Sequence, residues 1–145
     1  MQQKRFFPGN CFMTDTAANN NQASDAENTA SPATDPAQEA AALAKEGVDV
    51  EVIDLRTLSP WDRETVFASV KKTGRVIVAY EDSLSWGYGA ELSAAIADEC
   101  FAWLDAPVRR VASTDTFVGY APQLEDAILP QVSTFVAAYE EIAAF

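Results

Sequence analysis

Hydrophobic residues along most of the chain change repeatedly between the spacing of strands and the spacing of helices. Three runs are rich in β-branched and other apolar residues, as strands are: 48–58, 75–80 and 107–112. Apolar residues at helical spacing characterise the segments around them: 36–47, 59–74, 89–105, 124–130 and 132–145. This alternation predicts a three-layer α/β/α fold with a mostly parallel sheet.

The first predicted strand places apolar residues on both of its faces. Val48, Val50 and Val52 would share one face with Asp54, whereas Ile53 and Leu55 would occupy the other. Residues buried on both faces are typical of a strand in a parallel sheet that helices cover on both sides. The same sheet would include the apolar runs 75–80 and 107–112.

Residues that start and stop helices bound the segment 59–74. We expect Ser59 to cap it, Pro60 to occupy its first position, Asp62 to act in a capping box and Gly74 to end it. Its buried stripe is predicted to be Val66, Phe67 and Val70. The helix in 89–105 is expected to bury Leu92, Ile96, Cys100, Phe101 and Leu104.

The beginning of the chain has a different composition. Residues 14–36 contain no aromatic and no large aliphatic side chain, so they cannot bury enough surface to offset the entropy of ordering. We therefore expect residues 1–36 to be a disordered or non-native extension and residues 37–145 to form one folded domain.

Charge and composition exclude several classes of function. The formal charge is −12 and no basic stripe is present, which argues against a nucleic-acid partner. The chain has no histidine, which excludes a histidine-based triad or an ordinary zinc site. No apolar run is long enough for a membrane span or signal peptide. The two cysteines, Cys11 and Cys100, fit a reduced setting, so we predict a cytoplasmic protein.

The segment 80–92 has the order of a phosphate-binding or catalytic loop, in which a strand leads through glycines into a helix. A dinucleotide fingerprint starting at Gly87 would need glycine at position 92, where the chain has Leu92. The negative charges of Glu81 and Asp82 would also repel a pyrophosphate. Adjacent residues leaving a strand point apart, so Glu81 and Asp82 are not expected to share a substrate, although either could act alone if burial raised its pKa. Alternatively, they accept hydrogen bonds from loop amides or from the next helix. The residues alone indicate a small acidic α/β domain without a self-contained active site.

Several phrases of the sequence carry a specific family resemblance. They are "VEVIDLRTLSP", "SVKKTGRVIV", "GYGAEL", "LDAPVRRVAS" and "YAPQLEDAILP", in order between about residue 40 and residue 145. They resemble the C-terminal domain of transketolase-like proteins. The likeness is greatest to the β subunit of the thiamine-dependent decarboxylating component of 2-oxo acid dehydrogenase complexes, of the pyruvate or branched-chain type. The phrases do not distinguish the 2-oxo acid.

The resemblance implies an oxidoreductase whose cofactors, thiamine diphosphate and Mg, are bound elsewhere in the complete enzyme. In the family a pyrimidine-binding domain precedes this one, and the α subunit holds the diphosphate and metal. The family's strand that lies between those resembled by 50–55 and 75–80 has no counterpart here. We therefore expect a sheet that lacks an inner strand and a chain that binds no cofactor and is inactive alone.

The resemblance also implies partners and contact residues. The expected partners are the α subunit or the pyrimidine-binding domain, a second β subunit, and the peripheral subunit-binding domain of the acyltransferase. Asp105 and the terminal Phe145 correspond to residues that receive basic groups of the acyltransferase domain. An interface loop is expected at Glu81, Asp82, Trp86, Gly87, Tyr88 and Gly89. The alternatives are a remnant or fragment of a frameshifted β-subunit gene, a standalone interaction module, and one piece of an enzyme completed by another chain.

Overall fold

Helices and strands alternate along the part of the chain that the computed structural model describes, which is Lys45 and residues 49–145. The expected extension 1–36, and all of the expected helix 36–47 except the helical Lys45, lie outside the described residues. The helices are α1 (Arg63–Thr73), α2 (Tyr88–Cys100), α3 (Pro122–Ile128) and α4 (Val132–Ala143), and the strands are β1 (Ile77–Ser83) and β2 (Arg109–Ser113). A short 3-10 helix, Phe101–Trp103, follows α2 directly.

The two described strands are parallel neighbours, as the sequence predicts. Ile77 pairs with Arg109 and Ala79 with Val111, and the register becomes irregular between Ala79 and Ser83. Beyond that irregularity the Leu84 amide donates to the Ser113 carbonyl (3.0 Å), which keeps the two strand ends together. The loops that follow β1 and β2 therefore emerge side by side at one edge of the sheet.

Helices cover both faces of this small sheet and produce two separate hydrophobic clusters. Because side chains alternate along a strand, Val78 and Tyr80 enter one cluster while Ile77 and Ala79 enter the other. On the first face the sheet packs against α1 and α2 through Val66, Val70, Leu92, Ile96 and Cys100. On the second face it packs against α4 through Phe135, Ala138 and Ile142. The predicted three-layer α/β order is thus confirmed.

The predicted first strand differs from the structure. Residues 49–58 carry no strand assignment, although Leu55 is buried in the first cluster, Ile53 packs against that cluster, and Val50 packs against the second. The predicted packing is therefore observed for Val50, Ile53 and Leu55, whereas Val52 is 39 % exposed and Val48 lies outside the described residues. The prediction of a strand was wrong for the described residues. Apolar periodicity determines which side chains are buried, but a β ladder also requires a paired neighbouring strand. No described segment supplies one beside residues 49–58.

Two details of the helix predictions also need correction. The N-cap of α1 is Asp62 and not Ser59, because the Asp62 carboxylate accepts from the Thr65 amide (3.0 Å) and from the Thr65 hydroxyl (2.7 Å). Phe101, expected to be buried, is 79 % exposed. It is the first residue of the 3-10 helix that follows α2 directly. Gly74 ends α1 in the left-handed conformation, as predicted.

Candidate functional site

The loop between β1 and α2 presents a tryptophan directly to solvent. Trp86 is fully exposed and has a φ of 65°, in the left-handed region that a bulky residue seldom adopts. A strained backbone persists only where the surrounding contacts hold it in place, and such residues cluster at functional sites. Trp86 is therefore the first candidate for contact with another protein surface.

The two glycines of this loop serve a steric purpose. A Cβ atom on Gly87 would collide with the Ser83 carbonyl oxygen, and one on Gly89 would collide with the ring of Tyr80, which is buried beneath the loop. The Tyr80 hydroxyl also donates to the Leu84 carbonyl (3.3 Å). The left-handed residue of this loop is Trp86, whereas the two glycines provide space for the Tyr80 ring and the Ser83 carbonyl.

A carboxylate joins this loop to the loop that follows β2. Asp115 accepts from the Ser85 amide through Oδ1 (2.9 Å) and from the Ser85 hydroxyl through Oδ2 (2.7 Å). These two hydrogen bonds from Ser85 lower the pKa of Asp115, because they stabilise its ionised form. Arg110, in β2, also holds the first loop by donating to the Leu84 carbonyl (2.6 Å). The two loops therefore form a single connected surface.

The second loop carries further exposed apolar residues that the sequence analysis did not identify. Phe117 is 94 % exposed and Tyr120 is 98 % exposed, with Val118 also exposed between them. We call Trp86, Phe117, Val118 and Tyr120 the aromatic face. Since a buried aromatic side chain removes roughly 150–250 Å² from solvent, this face could bury on the order of 600 Å². The segment 114–121 has neither strand nor helix periodicity, so only the accumulation of apolar residues near Gly119 and Pro122 could have marked it.

The adjacent carboxylates Glu81 and Asp82 lie at the carboxyl end of β1. They contribute to the wall of a small cavity of about 140 Å³, together with Ser113 and Glu125. Asp82 accepts from the Ser83 amide (2.8 Å), and the Ser113 hydroxyl donates to the Glu81 carbonyl oxygen (2.5 Å). One alternative from the sequence was that these carboxylates accept hydrogen bonds from loop amides, and the hydrogen bond from the Ser83 amide to Asp82 is of that kind.

Tyr88, the remaining residue of the expected interface loop, is turned into the domain. It is half-buried against the first cluster, and its hydroxyl donates to the Leu58 carbonyl (2.6 Å), which holds the segment before α1 in place. Burial raises the pKa of Tyr88, and the nearby charge of Glu91 adds to this effect. Tyr88 therefore contributes to packing inside the domain, whereas Trp86 is the exposed aromatic residue of this loop.

The two residues expected to dock a basic partner lie in one place. Asp105 and Phe145 both line an open, mainly apolar groove of about 990 Å³, which we call the α2 groove because one wall is the outer face of α2. The Asp105 side chain is 66 % exposed and the Phe145 residue is 71 % exposed. Forty residues of sequence separate the two, so only the packing of α4 and the segment after α2 brings them together.

Asp105 is positioned by the end of α1. Its amide donates to the Gly74 carbonyl (2.7 Å), and its Oδ2 would lie 2.5 Å from a Cβ placed on Gly74. The mostly buried Arg75 places Nη1 3.9 Å from Asp105 Oδ2 and donates from Nε to the Ile142 carbonyl near the end of α4 (3.1 Å). Arg75 therefore connects the two chain segments that carry Asp105 and Phe145.

The described residues do not fit a metal or a diphosphate. Within residues 49–145 no group of three Asp, Glu or Cys side chains lies close enough together to hold a metal ion. The beginning of α2, where a helix dipole would favour an anion, lies beside the carboxylate of Asp82. We therefore assign no step of thiamine chemistry to these residues.

Comparison with known proteins gives closely related sequences. Residues 29–134 match the family model for the transketolase C-terminal domain. Over 101 residues the chain is 45 % identical to the mitochondrial pyruvate dehydrogenase E1 component subunit beta-2 of Oryza sativa, covering 70 % of this chain and 27 % of that protein. It is 43 % identical over 102 residues to the 2-oxoisovalerate dehydrogenase subunit beta of Pseudomonas aeruginosa, covering 70 % and 29 %. A third relative, the mitochondrial 2-oxoisovalerate dehydrogenase subunit beta of Dictyostelium discoideum, is 53 % identical over 72 residues, covering 50 % and 20 %.

Among solved structures, a "Split gene transketolase, inactive beta4 tetramer" has the same fold. The TM-score is 0.69 at 24 % sequence identity, and the match covers 93 % of this chain and 39 % of that one. None of the helices in the described part of the chain is long and apolar enough to cross a membrane. The chain spans between about a fifth and three tenths of the length of the curated relatives named above. It belongs to the transketolase C-terminal domain family and is homologous to the β subunits of pyruvate and branched-chain 2-oxo acid dehydrogenases.

Proposed function

We propose that this chain is the C-terminal assembly and docking domain of a 2-oxo acid dehydrogenase β subunit. It takes part in oxidative decarboxylation only within a complete enzyme, where thiamine diphosphate and Mg are held by other domains. It docks the peripheral subunit-binding domain of the acyltransferase through Asp105 and Phe145. The observation that carries the docking proposal is that both residues line the α2 groove.

Charge supports a basic partner at this site. The chain has a formal charge of −12, and the Asp105 side chain extends mostly into solvent. Among the described residues, Arg75 is the cation that forms an ion pair with Asp105, and its guanidinium at 3.9 Å is too distant for a close hydrogen-bonded pair. A partner's lysine or arginine can therefore form a charge-assisted hydrogen bond with Asp105, and long-range attraction would increase the rate of association.

The docking proposal can be tested with an immobilised peripheral subunit-binding domain. We expect the full chain to bind this domain. The variant Asp105→Asn keeps the size of the side chain and removes its charge, so it should weaken binding by about tenfold or more, as loss of one partner of an interfacial charge pair does. Asp49→Asn removes one charge from an exposed position that does not line the groove and is the matched control. Equal binding by the wild type and Asp105→Asn would reject Asp105 as a docking residue.

A second arrangement is favoured by one comparison. The similar solved structure is named as a split-gene transketolase that is inactive as a β4 tetramer. By analogy, this chain would be one piece of an enzyme whose α subunit, pyrimidine-binding domain and second β subunit provide the rest. The aromatic face would then contact one of these neighbours. Purified alone with thiamine diphosphate, Mg and a 2-oxo acid, the chain should give no decarboxylation, and turnover would contradict the proposal.

Folding separates this function from the alternative of a gene remnant. A domain that works in assembly or as a standalone module must have a cooperative core, and the two clusters on either side of the sheet provide one. We expect a single cooperative thermal transition for the full chain. A broad, non-cooperative melt would favour the remnant. The cytoplasmic location remains a prediction, since the names of several relatives include mitochondrial or chloroplastic.

A further inference from the structure

The α2 groove has the shape and lining of a site for a helix. Ala90, Ala94 and Ala97 follow one another at spacings of four and three residues along the outer face of α2, and Phe101 follows four residues later at the start of the 3-10 helix. All four residues line the groove. Their spacing is the a and d spacing of a coiled-coil seam. The opposite face of α2, with Leu92, Ile96 and Cys100, is buried in the domain. The outer seam therefore remains available to a partner.

Small side chains at the seam allow a partner helix to approach α2 closely, and aromatic side chains lie at the sides of the groove. Two neighbouring helices pack at about 8–10 Å between axes, and the distance depends on the size of the residues between them. Alanine at three successive seam positions favours the short end of that range. Phe101 and Phe145 line the same groove and are largely exposed, so a helix in the groove would bury both of them.

Carboxylates follow one edge of the seam at intervals of seven residues. Glu91 and Asp98 are exposed and occupy the e positions that flank the seam, and Asp105 follows seven residues later at the end of the groove. In coiled coils, charges at e and g positions select the partner and its orientation. This row would attract a helix that carries lysine or arginine along its edge.

Nearby cations of the domain do not neutralise the whole row. Arg110 lines the groove, but its Nη1 donates to the Leu84 carbonyl (2.6 Å) and to the Tyr80 hydroxyl (3.3 Å). Lys71 lies over the ring of Trp103, with Nζ 4.5 Å from the ring centroid. Arg75 is mostly buried and approaches only the Asp105 end of the row, at 3.9 Å. The charge pattern of the groove thus favours a basic occupant.

We propose that the α2 groove binds an amphipathic helix of a partner protein, with large apolar residues against the alanine seam and basic residues against Glu91, Asp98 and Asp105. The contact with Asp105 rests on the proposed docking function, and the contact with the alanine seam goes beyond it. A second copy of this chain fits the groove poorly. An antiparallel copy would place Glu91 and Asp98 against the same carboxylates, and each copy carries a formal charge of −12.

Synthetic peptides of about three heptads provide the probe. One carries leucine at a and d and lysine at e and g, and its control carries glutamate in place of lysine. Binding to the full chain is measured by isothermal titration calorimetry at low and at physiological salt. We expect the lysine peptide to bind, its affinity to fall several-fold at the higher salt concentration, and the glutamate peptide not to bind. Equal binding of the two peptides would overturn the charge assignment, and binding of neither would overturn the site.

Variants locate the peptide on the seam. Ala97→Trp fills the groove without a change of charge and should weaken lysine-peptide binding by about tenfold or more, which corresponds to about 1.4 kcal/mol. Ala68→Trp places the same residue at an exposed position of α1 and should leave binding unchanged. The double variant Glu91→Gln/Asp98→Asn should reduce both the affinity and its salt dependence. Circular dichroism verifies that each variant is folded. A folded Ala97→Trp variant with wild-type affinity would overturn the proposal.

The same variants separate this inference from the docking proposal. If the subunit-binding domain requires Asp105 while Ala97→Trp leaves both this domain and the peptide bound, the seam is wrong and docking stands. If Ala97→Trp abolishes peptide binding while Asp105→Asn has no effect on the subunit-binding domain, docking at Asp105 is wrong and the seam stands. Sedimentation equilibrium tests the second copy as occupant, and a dimer that Ala97→Trp dissociates would overturn the choice of partner.

Discussion

Two aspartates, Asp115 beside the aromatic face and Asp105 in the α2 groove, have different roles in this domain. Asp115 accepts two hydrogen bonds from Ser85, so its charge serves to join two loops. Asp105 is held by its own backbone amide, its side chain is 66 % exposed, and the nearest guanidinium is 3.9 Å away. The first surface therefore presents apolar side chains while its carboxylate is hydrogen-bonded within the domain, whereas the second presents an exposed carboxylate at the end of an apolar groove. A formal charge of −12 is compatible with both roles and does not show which aspartate has which role.

The largest expected effect concerns the support beneath the aromatic face. Gly89→Ala would press a methyl group into the ring of Tyr80, which is buried and cannot move away. We expect a loss of about 2–3 kcal/mol in the free energy of unfolding, measured by urea denaturation, as for other overpacked cores. Ala94→Ser, on the exposed side of the same helix, should change it by less than about 0.5 kcal/mol. A stable Gly89→Ala variant would mean that Tyr80 does not support the loop as described.

A smaller loss is expected at the corresponding glycine beside the groove. Gly74→Ala introduces a Cβ at a left-handed residue and 2.5 Å from Asp105 Oδ2. The backbone conformation costs about 1–2 kcal/mol for a non-glycine residue. The same substitution in an Asp105→Ala background separates the two causes, because the steric contact is removed while the backbone strain remains. Equal losses in the two backgrounds would show that the contact with Asp105 is unimportant.

Trp86 should respond in the opposite direction. Trp86→Gly relieves a left-handed backbone, and the exposed indole contributes little burial in the isolated chain, so stability should rise by up to about 1 kcal/mol after the entropy cost of glycine. Trp86→Ala removes the indole but keeps the strain and should give no such gain. A loss of stability in Trp86→Gly would contradict the assignment of Trp86 to an external contact.

The smallest effect is a titration. The pKa of Asp115 lies below its ordinary value because Ser85 donates to the ionised form, so the stabilisation is complete above the ordinary value and is lost as pH falls through the lowered one. Ser85→Ala should raise the pKa of Asp115 toward its ordinary value, as measured by carboxyl carbon NMR. Asp62, whose pKa is lowered by Thr65, is the internal control and should not change. An unchanged Asp115 titration in Ser85→Ala would mean that the Ser85 hydroxyl does not stabilise the ionised form of this carboxylate.

Some of this structure could be predicted from local sequence and some could not. The apolar runs predicted β1 and β2, and Gly74 predicted the end of α1, because these features depend on neighbouring residues. The prediction for Phe101 was wrong because it continued the helical spacing of α2 past Cys100, whereas Phe101 belongs to the 3-10 helix and is largely exposed. Phe117 and Tyr120 were missed because an irregular segment has no periodicity from which exposure can be inferred.

The sequence by itself determined the α/β class, the family resemblance, the packing of Val50, Ile53 and Leu55 into the domain, and the acidic charge. Only the tertiary structure decided that residues 49–58 lie outside the described sheet, that Asp105 and Phe145 share a groove, and that Asp115 joins the loops after β1 and β2. Periodicity is a property of adjacent residues, and the sequence expresses it directly. Strand pairing and groove formation depend on contacts between segments distant in the chain, and these exist only after the helices have packed on the sheet.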